Sequence, residues 1–132
     1  MAAVGSVDVE ELLIGWLQAR FPDAVVRDEL DTNLLEELPT IQVEQVPAGS
    51  DDGFRLTRAL VDVDVYTETR AGAMAIAQQI HGLLMTELRG SATPTAVIGR
   101  IQAETLPARR PYENTGLRRV GATYSIYLHP VS

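Results

Sequence analysis

The sequence contains no lysine, and all eleven of its basic residues are arginine. The absence of lysine excludes Schiff-base chemistry, the phosphate-binding lysine of a P-loop and lysine-assisted nucleases. Cysteine is absent as well, which excludes disulfide bonds, a thiol nucleophile and cysteine-ligated metal sites. These two absences remove more classes of function than any motif that the sequence contains.

Positive charge and long apolar runs are also scarce. The chain has 18 acidic residues and a net charge of −7. Such a chain gains affinity from nucleic-acid phosphates only if its arginines are segregated on one face. The longest uncharged stretch, which lies between Arg70 and Glu87, is too short and too polar to span a bilayer. Because Met1 to Asp8 carry neither a basic residue nor a long apolar run, we expect no signal peptide, no membrane partner and an intracellular protein.

Helical spacing of apolar residues predicts two helices. The first begins after Asp8, an N-cap that forms a capping box with Glu11, and it ends near Pro22. The second spans about residues 70–89 and ends at Gly90, a residue type favoured just beyond a helix C-terminus.

Alternation of apolar and polar residues predicts four strands. In chain order they are residues 40–46, about 55–67, 95–106 and 117–129. The first two are joined by a Gly/Ser/Asp turn and form a hairpin, with Pro47 ending the first strand. Residues 107–116, which contain two prolines and a terminal glycine, are predicted to be a polar loop between the last two strands.

These elements give the order α-β-β-α-β-β in a single domain, residues 1–132. We predict an α+β, two-layer fold: a four-stranded, largely antiparallel sheet with two main helices packed on one face. Residues 24–26 are a further candidate for a short strand, which this order leaves out.

The acidic pair Asp62 and Asp64 is the first candidate for chemistry, because residues two apart on a strand share a face. Two such carboxylates form part of a magnesium site in some nucleotidyl-transfer enzymes, usually with a third acid and a phosphate-binding loop. No glycine-rich phosphate loop precedes this strand. The alternative is a solvated or partner-facing side of a sheet whose valine face is buried.

Two arginine pairs, Arg109-Arg110 and Arg118-Arg119, flank a segment that contains Tyr112. Arginine and tyrosine are enriched at protein interfaces, and the guanidinium fork binds carboxylates and phosphates in a bidentate manner. Partner contact, simple solvation and nucleic-acid binding are the three alternatives that the sequence leaves open for these residues.

Several segments, taken in order, resemble the tail terminator (tail completion) proteins of long-tailed bacteriophages. The resemblance is carried by TIQVEQV at 40–46, by VDVDVY at 61–66 followed at once by an Ala-rich helix, and by the closing segment ENTGLRRVGATYSIYLHP. It extends from about Val9 to Pro130 and includes the N-terminal helix that ends in FPDA. The resemblance rests on the order of these segments and on the pattern of residues within them, and not on a catalytic signature.

The resemblance implies a virion structural protein that assembles into a hexameric ring on the last ring of the tail tube. The ring would end tube polymerisation and provide the surface for head–tail joining. The implied partners are other copies of the chain, the tail tube protein and a head-completion or connector protein, with DNA passing through the lumen without specific binding. The implied location is the neck of the virion, after synthesis in the host cytoplasm. No enzyme activity, cofactor, catalytic residue or metal-binding residue is implied.

Two polar segments are the candidate partner interfaces, because a ring subunit needs two different patches that meet head to tail. The candidate interface residues are Asp51, Asp52 and Phe54 at the hairpin tip, and Arg109, Arg110, Tyr112, Glu113 and Asn114 in the later connection. Phe54 is an aromatic residue at a polar hairpin tip. Contact with a partner protein explains its presence there, and local packing of its ring into the core explains it equally well.

Besides a small-ligand binding module, two other functions stay open at this point. One is a different phage neck protein, such as a head-closure or adaptor subunit. The other is a small metal-dependent enzyme that uses Asp62 and Asp64 with a divalent ion.

Overall fold

The computed structural model describes residues 7–30, 37–51, 56–112 and 116–131, and it confirms the α+β class. Two helices accompany a five-stranded mixed sheet. The elements are, in chain order, α1 (Val9–Arg20), β1 (Val25–Arg27), β2 (Thr40–Asp51), β3 (Thr57–Thr67), α2 (Arg70–Leu83), a π-helical turn (Leu84–Leu88), β4 (Ala96–Arg110) and β5 (Arg118–Pro130).

The N-terminal helix α1 begins where its sequence predicts. The Asp8 carboxylate accepts a hydrogen bond from the backbone N–H of Glu11 at 3.1 Å, which satisfies one of the N–H groups left unpaired in a first turn. Val9, Leu13 and Leu17 are buried on one face of the helix. This face packs against the sheet, so that α1 is held by its apolar side.

The short strand β1 makes the sheet five-stranded and corrects the prediction of four strands. It pairs in parallel with β2. The Gln18 side chain holds it in place: its amide group donates to the carbonyl oxygens of Phe21 and Ala24 at 3.0 and 2.8 Å. Its carbonyl oxygen accepts from the backbone N–H of Val26 at 3.1 Å. β1 overlaps the candidate strand at residues 24–26, which the predicted order left out, and the element order is therefore α-β-β-β-α-β-β.

The strands lie side by side in the order β1-β2-β3-β5-β4. The three pairings among β2, β3, β5 and β4 are antiparallel. The last strand of the sequence thus lies between β3 and β4, with Asp64 opposite Gly121 and Val65 opposite Val120. This insertion brings residues that are more than fifty positions apart onto neighbouring strands.

The predicted pairing of β2 with β3 is confirmed, but β2 is longer than predicted. It continues past Pro47 to Asp51 through an irregularity in its register with β3. Gly49 lies in this irregular segment, and a Cβ atom there would lie only 2.5 Å from the carbonyl oxygen of Arg58. The expectation that Pro47 ends the strand is wrong, because a bulge accommodates a residue without an N–H group.

The predicted helix 70–89 corresponds to α2 and the π-helical turn together. The Thr69 hydroxyl accepts a hydrogen bond from the backbone N–H of Gly72 at 3.1 Å and caps the first turn. Gly90 follows the last turn with a φ of 80°, a conformation that glycine adopts without steric cost.

Strand β4 runs to Arg110, so the predicted loop at 107–116 is wrong for residues 107–110. Arg110 is paired in register with Arg119 of β5. The composition is misleading because β4 is an edge strand, where a proline without an N–H group is tolerated. Pro107 lies in one of several register irregularities along this strand.

One aliphatic core fills the space between the helices and one face of the sheet. Ala59, Val61, Val63 and Val65 of β3 are buried in it, as their alternation predicts. Buried residues of α1 and α2 belong to the same core, so both helices pack on this face. Within the ranges that the structure describes, no helix is long and apolar enough to cross a membrane.

Candidate functional site

The sheet face opposite the core carries a cluster of paired charges. Asp62 and Asp64 of β3 point to this face because they alternate with buried valines. The neighbouring strands β5 and β4 bring Arg119 and Arg110 onto the same face. We call Asp62, Asp64, Arg110 and Arg119 the charge cluster; it contains two negative and two positive side chains.

Asp64 is the buried centre of the charge cluster, with a side chain only 3% exposed. Its Oδ1 accepts a hydrogen bond from Nη1 of Arg110 at 3.2 Å, and its Oδ2 accepts one from Nη2 of Arg119 at 2.9 Å. The hydrogen bond to Asp64 raises the pKa of Arg119 above its usual value, although burial acts in the opposite direction. A buried carboxylate is costly unless it is paired and hydrogen-bonded, and both oxygens of Asp64 are.

Arg110 connects Asp64 to a second group of polar side chains. Its Nη1 also lies 3.4 Å from Oδ1 of Asp62. Its Nη2 donates to the hydroxyl oxygens of Thr123 and Thr105 at 2.9 and 3.2 Å, and the Thr123 hydroxyl donates to Asp62. One guanidinium thus ties β3, β4 and β5 together across the sheet.

Gly121 leaves the space that the Asp64 carboxylate occupies. The two residues lie opposite each other on β5 and β3. A Cβ atom at position 121 would lie 1.8 Å from Oδ1 of Asp64, and 3.1 Å from the carbonyl oxygen of Val63. The carboxylate can therefore lie across β5 and reach Arg110 and Arg119 only because this position has no side chain.

Tyr66 closes one end of the charge cluster and forms a small second apolar cluster with Leu117 and Tyr112. The rings of Tyr66 and Tyr112 pack edge to face, with centroids 5.1 Å apart. The Tyr66 hydroxyl donates a hydrogen bond to Oε1 of Gln42 at 2.9 Å. Burial raises the pKa of Tyr66 to about 12, and the nearby Arg119 opposes this shift.

Because the pKa of Tyr66 is raised, its phenol should ionise at a higher pH than that of an exposed tyrosine during an alkaline titration. The neutral phenol is favoured in the folded protein, so its contribution to stability is full below pH 10 and is lost as the pH rises towards about 12. Burial also raises the pKa of Tyr124. We expect an ultraviolet titration to show a late phase of tyrosinate formation, and we expect Tyr66→Phe to remove about half of it. A late phase of unchanged amplitude in this variant would contradict the assignment.

A basic cleft of about 310 Å³ adjoins the charge cluster at the start of β5. Arg109 and Arg118 are its exposed arginines, whereas Arg110 and Arg119 are held by Asp64. The remaining lining residues are Pro111, Tyr112 and Leu117. The cleft therefore combines an apolar floor with exposed positive charge at its rim, where Nη1 of Arg118 also donates a hydrogen bond to the carbonyl oxygen of Leu117 at 3.0 Å.

The structure brings together part of the predicted interface set. Arg109, Arg110 and Tyr112 all line the basic cleft. Arg110 forms ion pairs within its own chain, and Tyr112 packs on Tyr66. Asp51 is the last residue of β2, and the structure does not describe its side chain. Asp52, Phe54, Glu113 and Asn114 lie outside the described residues.

The hypothesis of a divalent metal site at Asp62 and Asp64 conflicts with the geometry of the charge cluster. Arg110 lies within 3.4 Å of both carboxylates, so a cation would have to displace a guanidinium. Among the described residues, no three histidine or acidic side chains are grouped to hold a metal ion.

We therefore expect isothermal titration calorimetry with Mg²⁺ or Mn²⁺ to give no saturable binding heat. The repulsion between the incoming cation and the two guanidinium groups is the physical reason. A saturable heat that Asp62→Asn abolishes would instead favour the metal-dependent enzyme.

The sequence contains both arginine pairs but does not show that each pair has one half-buried and one exposed member. Asp64 is the missing element, since it selects Arg110 and Arg119. A signal was present: Gly121 interrupts an otherwise regular strand pattern, and glycine within a strand often marks the close approach of another group.

No protein-family model matches the chain, and no curated protein matches it in sequence.

Proposed function

We propose that this chain is a tail terminator subunit: a virion structural protein that forms a hexameric ring on the last ring of the tail tube. The ring ends tube polymerisation and presents the surface to which the head-completion or connector protein binds. The protein acts by assembly, and DNA passes through its lumen without specific binding.

The observation that carries the proposal is where the resembling segments lie in the fold. TIQVEQV forms the first part of β2, VDVDVY lies in β3, the Ala-rich segment is α2, and the closing segment supplies β5. Strands β2, β3 and β5 are direct neighbours, and α2 packs on β3 and β5. The resemblance therefore covers one contiguous structural unit, which favours a shared architecture over a chance likeness of separate segments.

The charge cluster supports an assembly role in a second way. Its four charged side chains neutralise one another and tie three strands together. Such a network stiffens the helix-free face of the sheet, and a rigid face is what a repeated, geometrically defined contact needs. The arrangement favours a scaffold for contacts over a reaction centre.

The decisive experiment removes the chain from the virus whose genome encodes it. We expect overlong tails that are not joined to heads, seen by electron microscopy, and rescue by the wild-type chain supplied in trans. Tails of normal length together with heads that lose DNA would identify a head-closure or adaptor subunit instead. Normal infectious particles would overturn both alternatives.

A matched experiment uses the purified chain and polymerising tube protein. We expect added chain to stop tube growth, and class averages of tube ends to show a sixfold ring. A chain that stays monomeric at the tube end, or that leaves tube length unchanged, contradicts the proposal.

A further inference from the structure

The strand β5 joins two surface clefts of opposite charge. Its first residues, with the end of β4, form the basic cleft. Its last residue, Pro130, borders a groove of about 620 Å³ beside the N-terminus of α1. We call this second surface the acidic groove, and its lining residues include Asp8, Glu11, Leu12, Pro94, Pro130 and Val131.

The two surfaces have matching designs. In the acidic groove, Asp8 and Glu11 are exposed at the rim, and Val131 is an exposed apolar side chain. In the basic cleft, Arg109 and Arg118 stand at the rim. Among the described lining residues, the acidic groove has no basic side chain and the basic cleft has no acidic one. An apolar centre with a charged rim is typical of protein interfaces.

The clefts lie at opposite ends of β5. β5 has 13 residues, and a strand rises by about 3.3 Å per residue, so its ends are about 40 Å apart. Two different patches at opposite ends are the arrangement that joins identical subunits head to tail, and such contacts close into a ring when the rotation allows it.

We propose that the basic cleft of one copy binds the acidic groove of the next copy. This inference rests on the proposed function, since it names the contact between neighbouring subunits of the ring. Arg109 and Arg118 contact Asp8 and Glu11 of the next subunit, and the apolar centres of the two surfaces are buried between them.

Net charge favours a second copy as the occupant. The chain carries a charge of −7, so copies repel one another over most of their surface. The positively charged side chains of the basic cleft attract a second copy locally, because the acidic groove of that copy carries the complementary negative charge. Electrostatic complementarity of this kind also sets the orientation of two subunits.

Charge reversal tests the contact. The basic-reversal variant is Arg109→Glu with Arg118→Glu, and the acidic-reversal variant is Asp8→Ser with Glu11→Arg; serine keeps a side-chain cap for α1. In sedimentation velocity of the full chain, we expect each variant alone to associate about 100-fold more weakly than the wild type. The two variants mixed in equal amounts restore assembly, because each cleft then meets a groove of opposite charge.

Matched single reversals at exposed sites outside the two clefts are the controls. Arg100→Glu and Asp23→Arg should assemble like the wild type, and circular dichroism confirms that every variant is folded. If both reversal variants assemble normally while the wild type forms rings, the inference is wrong and the proposed function stands. A wild type that forms no ring, even on tube ends, overturns both.

Two further outcomes count against the inference. Failure of the mixture to assemble, with both variants folded and blocked alone, shows that the two surfaces do not meet each other. Binding of duplex DNA that the basic-reversal variant abolishes, with self-association unchanged, assigns the cleft to nucleic acid instead.

Discussion

Replacement of Gly121 by alanine is expected to lower the free energy of unfolding by about 3 kcal/mol. The new methyl group would lie 1.8 Å from Oδ1 of Asp64, so either the carboxylate must leave its partners or β3 and β5 must separate. Both Arg110 and Arg119 would lose a charge-assisted hydrogen bond in the first case. Urea denaturation followed by circular dichroism measures the effect, and the melting temperature should fall by about 10 °C.

Gly99→Ala is the matched control for this substitution. Gly99 is also a strand glycine, but a Cβ atom there meets only the carbonyl oxygen of Tyr127 at 3.5 Å, an ordinary contact. We expect a change of less than about 1 kcal/mol for this control. Equal denaturation midpoints for the two variants would show that the Asp64 carboxylate does not depend on the space that the missing side chain of Gly121 leaves.

A double-mutant cycle isolates the cause. In an Asp64→Ala background the obstructing carboxylate is gone, so Gly121→Ala should cost much less than it does in the wild type. Additive costs would mean that the methyl group disturbs the strand for another reason, such as its contact with the carbonyl oxygen of Val63.

Replacement of Asp64 by alanine is expected to cost about 3 kcal/mol of stability, whereas Asp62→Ala should cost less than about 1 kcal/mol. The two residues have the same chemistry and lie on the same strand face. Asp64 is 3% exposed and accepts from two guanidinium groups, while the Asp62 side chain is 27% exposed. Removal of Asp64 therefore leaves two partly buried cations facing each other across β4 and β5.

Chemical denaturation of both variants checks this difference. The cost for Asp64→Ala lies at the low end for a broken buried ion pair, because Arg110 and Arg119 are 21% and 28% exposed and can turn towards water. Asp64→Asn, which keeps the shape but not the charge, should fall between the two alanine variants. Equal costs at positions 62 and 64 would contradict the central role of Asp64.

The predictable parts of the fold are those set by local chain geometry. The buried face of β3 follows from a period of two, and the start of α1 follows from the hydrogen bond of Asp8. The π-helical turn after α2 is not visible in the sequence, because the apolar spacing that supports it is the same as in an α-helix.

Two of the failed predictions, the count of four strands and the loop over residues 107–110, share one cause, which is dependence on distant residues. β1 is a strand because Gln18 holds it beside β2. Residues 107–110 continue β4 because β5 pairs with them, although proline and arginine are typical of a loop there. At residues 107–110 the partner strand overrides the local composition, whereas at β1 the pairing with β2 completes a strand that the sequence offers only as a candidate.

The sequence by itself determined the α+β class, the apolar face of the sheet and the absence of lysine and cysteine chemistry. Tertiary structure alone decided which charges meet. Arg110 and Arg119 reach Asp64 because β5 lies between β3 and β4, and strand order is set by how the whole chain buries its apolar faces. A side chain's charge is a local property, but its partner is chosen by packing over the entire fold.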